Sequence, residues 1–121
     1  MLKSTNKTVM HSYPGMVSLV TSHFQGALNI MAAGWHTYLS YEPAIYGVAI
    51  AKERHTHSLV KESGEFAVHF MPGHFADKIQ QSGTLSGKDT QKLETLNLVY
   101  KKGEIINSPI LQDAYVAMSV R

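Results

Sequence analysis

The stretch MVSLVTSHFQGALNIMAAGW, residues 16–35, decides the fold. Its first part, residues 16–22, is dominated by strand-forming side chains. His23-Phe24-Gln25-Gly26 reads as a turn with glycine at its end, and residues 27–33 read as the returning strand. The segment is a β-hairpin whose second arm ends oddly. Ala32, Ala33 and Gly34 give up side-chain volume immediately before Trp35, the one tryptophan of the chain. Small residues on a strand admit either a second backbone at close range or a flat ligand against the main chain.

Short strands recur downstream. Residues 38–41 form an extended piece stopped by Glu42-Pro43. Over residues 45–51 the pattern alternates, with Tyr46, Val48 and Ile50 on one face and Gly47, Ala49 and Ala51 on the other. This second face of small residues, beside the first, predicts a shallow trough. Thr56 reads as the N-cap of a short helix through Leu59, Val60 and Glu62 that closes near Gly64. Residues 65–70 alternate as a strand. Pro72-Gly73 turns into a second helix, with Phe75 and Ile79 on its buried face and Gly83 as its stop. Residues 84–90 read as a loop, residues 91–96 as a helical turn, Asn107-Ser108-Pro109 as a break, and residues 115–120 as a last strand. Many short strands with few helices predict a mainly β fold with short helices, a small antiparallel barrel.

Composition narrows the function. At 121 residues the chain reads as one domain, residues 1–121, with residues 1–12 a flexible polar lead-in. A net charge of +2, with basic residues scattered, leaves no footprint for nucleic acid. Cysteine is absent, which excludes disulfides, iron–sulfur ligation and thiol catalysis, so redox chemistry requires a bound cofactor. Residues 8–41 carry no Asp, Glu, Lys or Arg, yet His11, His23, His36, Gln25 and Asn29 rule out a membrane span. The N-terminus lacks the apolar core of a signal peptide, so the expectation is a cytoplasmic protein with no membrane partner. The uncharged stretch then belongs to a region buried within the domain or against another subunit.

Lys52-Glu53-Arg54-His55-Thr56-His57 joins the second small-faced strand to a helix start. Unpaired N–H groups and a partial positive charge there, together with the Arg54 fork and the Thr56 hydroxyl, offer a phosphate cradle; taken alone, the segment reads more simply as Thr56 capping its helix with Arg54 solvated. His55 and His57 read as donors to phosphate in preference to metal ligands, because no His-x-x-x-His pair or carboxylate stands at a ligand spacing. Tyr38, Tyr41 and Tyr46 read as barrel or interface packing. Two small-residue strands, an aromatic edge and a basic helix start together fit a planar ring joined by a chain to a phosphate.

Those segments resemble one family, the flavin reductase-like, FMN-binding split-barrel proteins, which includes flavoredoxins and ferric reductases. The resemblance runs from about Tyr13 to the end of the chain. It is carried by Tyr13-Pro14 before Val17-Ser18-Leu19-Val20-Thr21, by Asn29-Ile30-Met31 with Trp35, and by Glu42-Pro43 before Val48-Ala49-Ile50. Further carriers are Arg54-His55-Thr56 with Leu59-Val60-Lys61-Glu62-Ser63, Glu65-Phe66-Ala67-Val68, and Ser86-Gly87-Lys88-Asp89 with Lys92. The chain departs from the family at Pro43-Ala44, where two prolines are usual, at His69, near which an asparagine is usual, and at Gln91-Lys92-Leu93.

The resemblance implies an antiparallel Greek-key split β-barrel, C-terminally short relative to the family, forming a homodimer with FMN near the subunit interface. It implies contacts to the ring and ribityl chain from Asn29, Met31, Ala32, Ala33, Gly34 and Trp35. Ala49, Ile50 and Ala51 would lie beneath them; Arg54 and Thr56 would hold the phosphate, with His55 beside them, and Lys92 would reach the cofactor. The activity implied is NAD(P)H-dependent reduction of flavin, or passage of electrons through FMN to a metal or protein. Such chemistry is carried by the flavin and calls for no catalytic acid, base or nucleophile. A non-enzymatic electron carrier, or a flavin-free scaffold of the same fold, is the alternative.

Overall fold

A computed structural model describes residues 16–85 and 91–121. The lead-in, Tyr13-Pro14 and the Ser86-Gly87-Lys88-Asp89 motif lie outside these described residues. The opening hairpin is β1 (Ser18–Phe24) and β2 (Ala27–Ala33), in antiparallel register from Ser18 opposite Ala33 to Phe24 opposite Ala27. Its turn is tighter than the four residues expected. Only Gln25 and Gly26 lie between the strands, both at positive φ (49° and 81°), the primed-turn geometry whose twist matches that of the strands it joins.

Downstream, β3 (His36–Ser40) pairs antiparallel with β4 (Ile45–Val48), through a turn holding a cis Glu42–Pro43 bond. The strand expected over residues 45–51 stops at Val48. Only Ala49 keeps a ladder-like bond, its N–H donating to the Trp35 carbonyl at 2.9 Å, before the chain turns toward α1 (His55–Ser63). Gly64 ends α1 in the left-handed conformation, φ 71°, its N–H bonding the Val60 carbonyl at 2.8 Å. After β5 (Phe66–Phe70), Pro72 leads into a 3-10 turn at Gly73–Phe75 that runs into α2 (Ala76–Thr84). Gly83 lies inside that helix and does not stop it. The short α3 (Lys92–Thr95) is capped by the Gln91 side chain, which accepts from the Leu93 N–H at 3.2 Å.

Two strands escaped the sequence reading. β6 (Tyr100–Lys102) and β7 (Pro109–Leu111) pair only with each other, and β8 (Val116–Val120) closes the order. Three residues are too few to show a period, and Pro109 reads as a breaker. Tertiary bonds hold β7 in place instead. Thr21 Oγ1 donates to the Pro109 carbonyl at 2.6 Å, and the Leu111 N–H donates to His69 Nε2 at 3.1 Å.

The main sheet is antiparallel, ordered β2-β1-β5-β8, with β3-β4 and β6-β7 as separate ribbons. Among the described residues these sheets do not close into a barrel. One face, with Leu19 and Ile30, packs under Met71, Phe75, Leu93, Leu96 and Leu98. The other centres on Val20, Ala33 and Val68, with Met31, Tyr46, Val48, Phe66, Phe70 and Met118 only partly covered. The β3–β4 ribbon exposes Tyr38, Leu39 and Ile45, and Tyr41 in its turn is 95% exposed, so it packs on little among the described residues.

Candidate functional site

The end of β2, the segment after β4 and the start of α1 converge on one cleft of about 610 Å³. Its lining takes Asn29, Met31, Ala32, Ala33, Gly34 and Trp35 from β2 and its exit. Ala49, Ile50 and Ala51 come from the segment after β4, Arg54, His55 and Thr56 from the α1 start, and Lys92 from α3. The structure therefore brings all thirteen candidate positions to one place. Trp35 stands at the rim with 57% of its surface exposed. Two local bonds shape the wall: Ala49 N–H to the Trp35 carbonyl, and Arg54 N–H to the Ala51 carbonyl at 3.0 Å.

Not every small residue of the two strands serves the cleft. A Cβ on Gly47 would sit 2.6 Å from Leu39 Cδ1, so Gly47 faces the exposed Leu39 side chain, which could turn aside, and not the cleft. Ala49 and Ala51 line the cleft; Gly47 does not.

Thr56 differs from its expected role as a cap. Arg54 occupies the N-cap position in an extended conformation, and no side chain caps the helix. Thr56 is instead buried in the first turn, where its Oγ1 accepts from Asn29 Nδ2 at 2.6 Å. Having accepted that bond, the Thr56 hydroxyl keeps its proton to donate. Of the first-turn N–H groups of α1, that of His57 bonds the Arg54 carbonyl at 3.0 Å, and no side chain caps the helix start. Asn29, 2% exposed, has its Oδ1 unpartnered among the described residues. A buried acceptor left so costs roughly 1–3 kcal/mol, which a ligand donor in the cleft would recover.

Lys92 is 5% exposed, with Nζ donating to the Ser82 carbonyl at 2.9 Å. Burial, and then the nearby Arg54 guanidinium, hold its ammonium below the usual lysine range. Two cations and an uncapped helix start thus face the same space, an arrangement that a dianion relieves. Sequence reasoning missed Glu53, Gly83 and Leu85 in the lining. Glu53 sits inside the quoted basic segment but has the wrong sign for a phosphate. Gly83 and Leu85 arrive only because α2 packs beside β2, for which no local pattern exists. Among the described residues no group of three or more His, Asp or Glu gathers as a metal site, and no helix is long and apolar enough to cross a membrane.

Comparison with known proteins accords with this architecture. The chain belongs to the family described as the flavin reductase-like domain, which matches residues 10–121. A protein of Archaeoglobus fulgidus is 34% identical over 109 residues, covering 90% of this chain and 61% of its own length. An FMN-binding protein from Thermus thermophilus, solved with a bound cyclohexenone, superposes with a TM-score of 0.88 at 28% identity, covering 98% of this chain and 67% of that one. Flavoredoxin of Desulfovibrio vulgaris shares the fold, with a TM-score of 0.87 at 24% identity over 98% of this chain and 65% of its own. The chain thus spans about two thirds of the length of these relatives.

Proposed function

We propose that the cleft binds FMN and that the protein is an oxidoreductase working through the bound flavin. The observation that carries this reading is the convergence of a small-residue wall and an uncapped, cation-flanked helix start on one cleft. A cleft of that volume falls in the range of roughly 300–1,000 Å³ that small-molecule sites occupy. The FMN named in the Thermus thermophilus structure supports the choice of ligand.

In this reading the ring lies against residues 31–35, with Ala49, Ile50 and Ala51 beneath it. The phosphate takes the α1 N–H groups, the Thr56 hydroxyl, His55 and the Arg54 fork, and Lys92 neutralises it from the buried side. The flavin, when bound, supplies the hydride and electron chemistry, with NAD(P)H as donor and a metal, a protein or free flavin as acceptor. The protein's residues hold the ring with one face open, exclude water from its edge and balance the phosphate charge. No side chain needs to act as acid, base or nucleophile.

The assembly we propose is a single-domain, cytoplasmic split barrel of Greek-key type that pairs as a homodimer with the cleft near the interface. Trp35 at the cleft rim, and Tyr38, Leu39 and Tyr41 exposed on the β3–β4 ribbon that follows it, support that pairing.

The test is a visible absorption spectrum of purified protein before and after adding FMN and desalting. Flavin bands retained near stoichiometry are expected. A protein that stays colourless overturns the reading and leaves backbone packing as the reason for the small residues. Anaerobic bleaching by NADH or NADPH then separates a reductase from a non-enzymatic carrier.

A further inference from the structure

We propose that Glu53 is a specificity-determining residue, one that admits a ligand ending in a single phosphate and rejects one whose phosphate is joined to a second. The inference rests on the flavin reading and specifies which flavin nucleotide the same cleft takes. Among the described residues of the cleft lining, Glu53 carries the one carboxylate, in the company of Arg54 and Lys92. Lys52, its neighbour in the chain, does not line the cleft. A carboxylate cannot help to hold an anion, so its effect there is to repel one.

Burial divides this end of the cleft into a closed side and a mouth. Asn29, Thr56 and Lys92 are buried and form the closed side, with Lys92 Nζ donating to the Ser82 carbonyl at 2.9 Å. Glu53 and Arg54 are exposed and form the mouth. They belong to the turn that leads into α1, which the Arg54 N–H closes by donating to the Ala51 carbonyl at 3.0 Å. An anion drawn to the first turn of α1 therefore has Thr56 and Lys92 on its inner side and the Glu53–Arg54 turn on its outer side.

A phosphate monoester ends at that point. It carries roughly two negative charges at neutral pH, which Arg54 and Lys92 match, and none of it continues toward the mouth. A phosphate diester carries a single charge and has to continue through the open side, past Glu53. In a flavin dinucleotide the next group is a second phosphate, whose charge meets the carboxylate. Cations at the helix start with an anion at the mouth thus fit FMN and oppose FAD.

The test is a titration with FMN and with FAD, followed by the fluorescence of Trp35, the one tryptophan of the chain, at the cleft rim. The wild-type chain is expected to bind FMN about tenfold or more tightly than FAD, the scale of one like-charge contact at a partly solvated site. In Glu53→Gln that ratio is expected to fall to about twofold or less, mainly through tighter binding of FAD. Glu62→Gln removes the same charge from an exposed position of α1 outside the cleft lining, and is expected to leave the ratio unchanged. A wild-type chain that binds FAD as tightly as FMN overturns the inference. So does a ratio unchanged in Glu53→Gln, or one that falls as far in Glu62→Gln. Failure of the wild-type chain to bind either flavin is a different result, because it removes the flavin reading itself and the inference with it.

Discussion

His69 shows how a single residue can tie the fold together without touching the cleft. It is fully buried, its Nδ1–H donating to the Leu19 carbonyl at 3.1 Å while Nε2 accepts from the Leu111 N–H. The Leu111 bond needs the neutral ring, because a protonated Nε2 cannot accept, whereas the Leu19 bond survives protonation. Burial lowers its pKa to about 4, with the Leu19 bond acting weakly the other way. The unfolded chain therefore takes up a proton below its ordinary pKa of about 6.5 that the folded chain refuses until about pH 4. Stability is complete above that window and is expected to fall through it, by at most about 3 kcal/mol. Urea midpoints measured between pH 7.5 and 4.5 check this, and His69→Gln should flatten the slope. At Lys92 the sign reverses between folding and binding. Lys92→Met removes a buried cation, so the ligand-free protein should keep or gain thermal stability. The same change should weaken FMN by about tenfold or more, a cost of the order of a charged hydrogen bond, while riboflavin, which lacks the phosphate, is little affected. Equal losses for both flavins would count against a phosphate role.

At the scale of elements, the connections decide where the site falls. The β1–β2 turn places Gln25 and Gly26 at positive φ, where asparagine is accepted far better than glutamine. Gln25→Asn is therefore expected to stabilise the chain by about 0.5 kcal/mol, measured as a shift in denaturation midpoint. The opposite change is available at the end of α1. A Cβ on Gly64 would meet no atom, but its φ of 71° strains any L side chain, so Gly64→Ala should cost about 1 kcal/mol. This helix also explains the most instructive difference from the sequence reading. Thr56 stands where a capping residue is expected, yet its hydroxyl turns to Asn29 on β2. The helix start is then left uncapped and open to the cleft.

At the scale of the molecule, one face of the sheet is sealed and the other is not. The α2–α3 side is densely buried, whereas Tyr46, Phe66, Phe70 and Met118 stay half-covered around Val20 and Val68. Beside them the β3–β4 ribbon carries Tyr38, 74% exposed, and Leu39, 66% exposed. Under the homodimer proposed above, these exposed apolar groups would form the pairing surface. The double change Tyr38→Lys with Leu39→Lys is expected to shift sedimentation from dimer toward monomer at micromolar concentration, without loss of secondary structure by circular dichroism. A wild-type chain that sediments as a monomer would refute the pairing.

Much of this architecture is written locally. The opening hairpin, the alternation at residues 65–70 and the glycine that ends α1 each follow from side-chain period and backbone preference within a few residues, so they are legible in sequence. The small residues at 32–34, 49 and 51 and the basic helix start are legible for the same reason. What sequence could not decide is which partner each of these features meets. Gly47 and Ala49 have equal claims on paper, but only one of them lies under Leu39. β6 and β7 are too short to declare themselves; β7 is held by bonds to Thr21 and His69, contacts made across 88 and 42 residues of chain, and β6 pairs with it. Gly83, Leu85 and the burial of Lys92 come from α2 and α3 folding back on the sheet. Local propensity acts over one turn or one strand, whereas a cleft is enclosed by segments far apart in sequence, and only their packing sets which groups are left facing it.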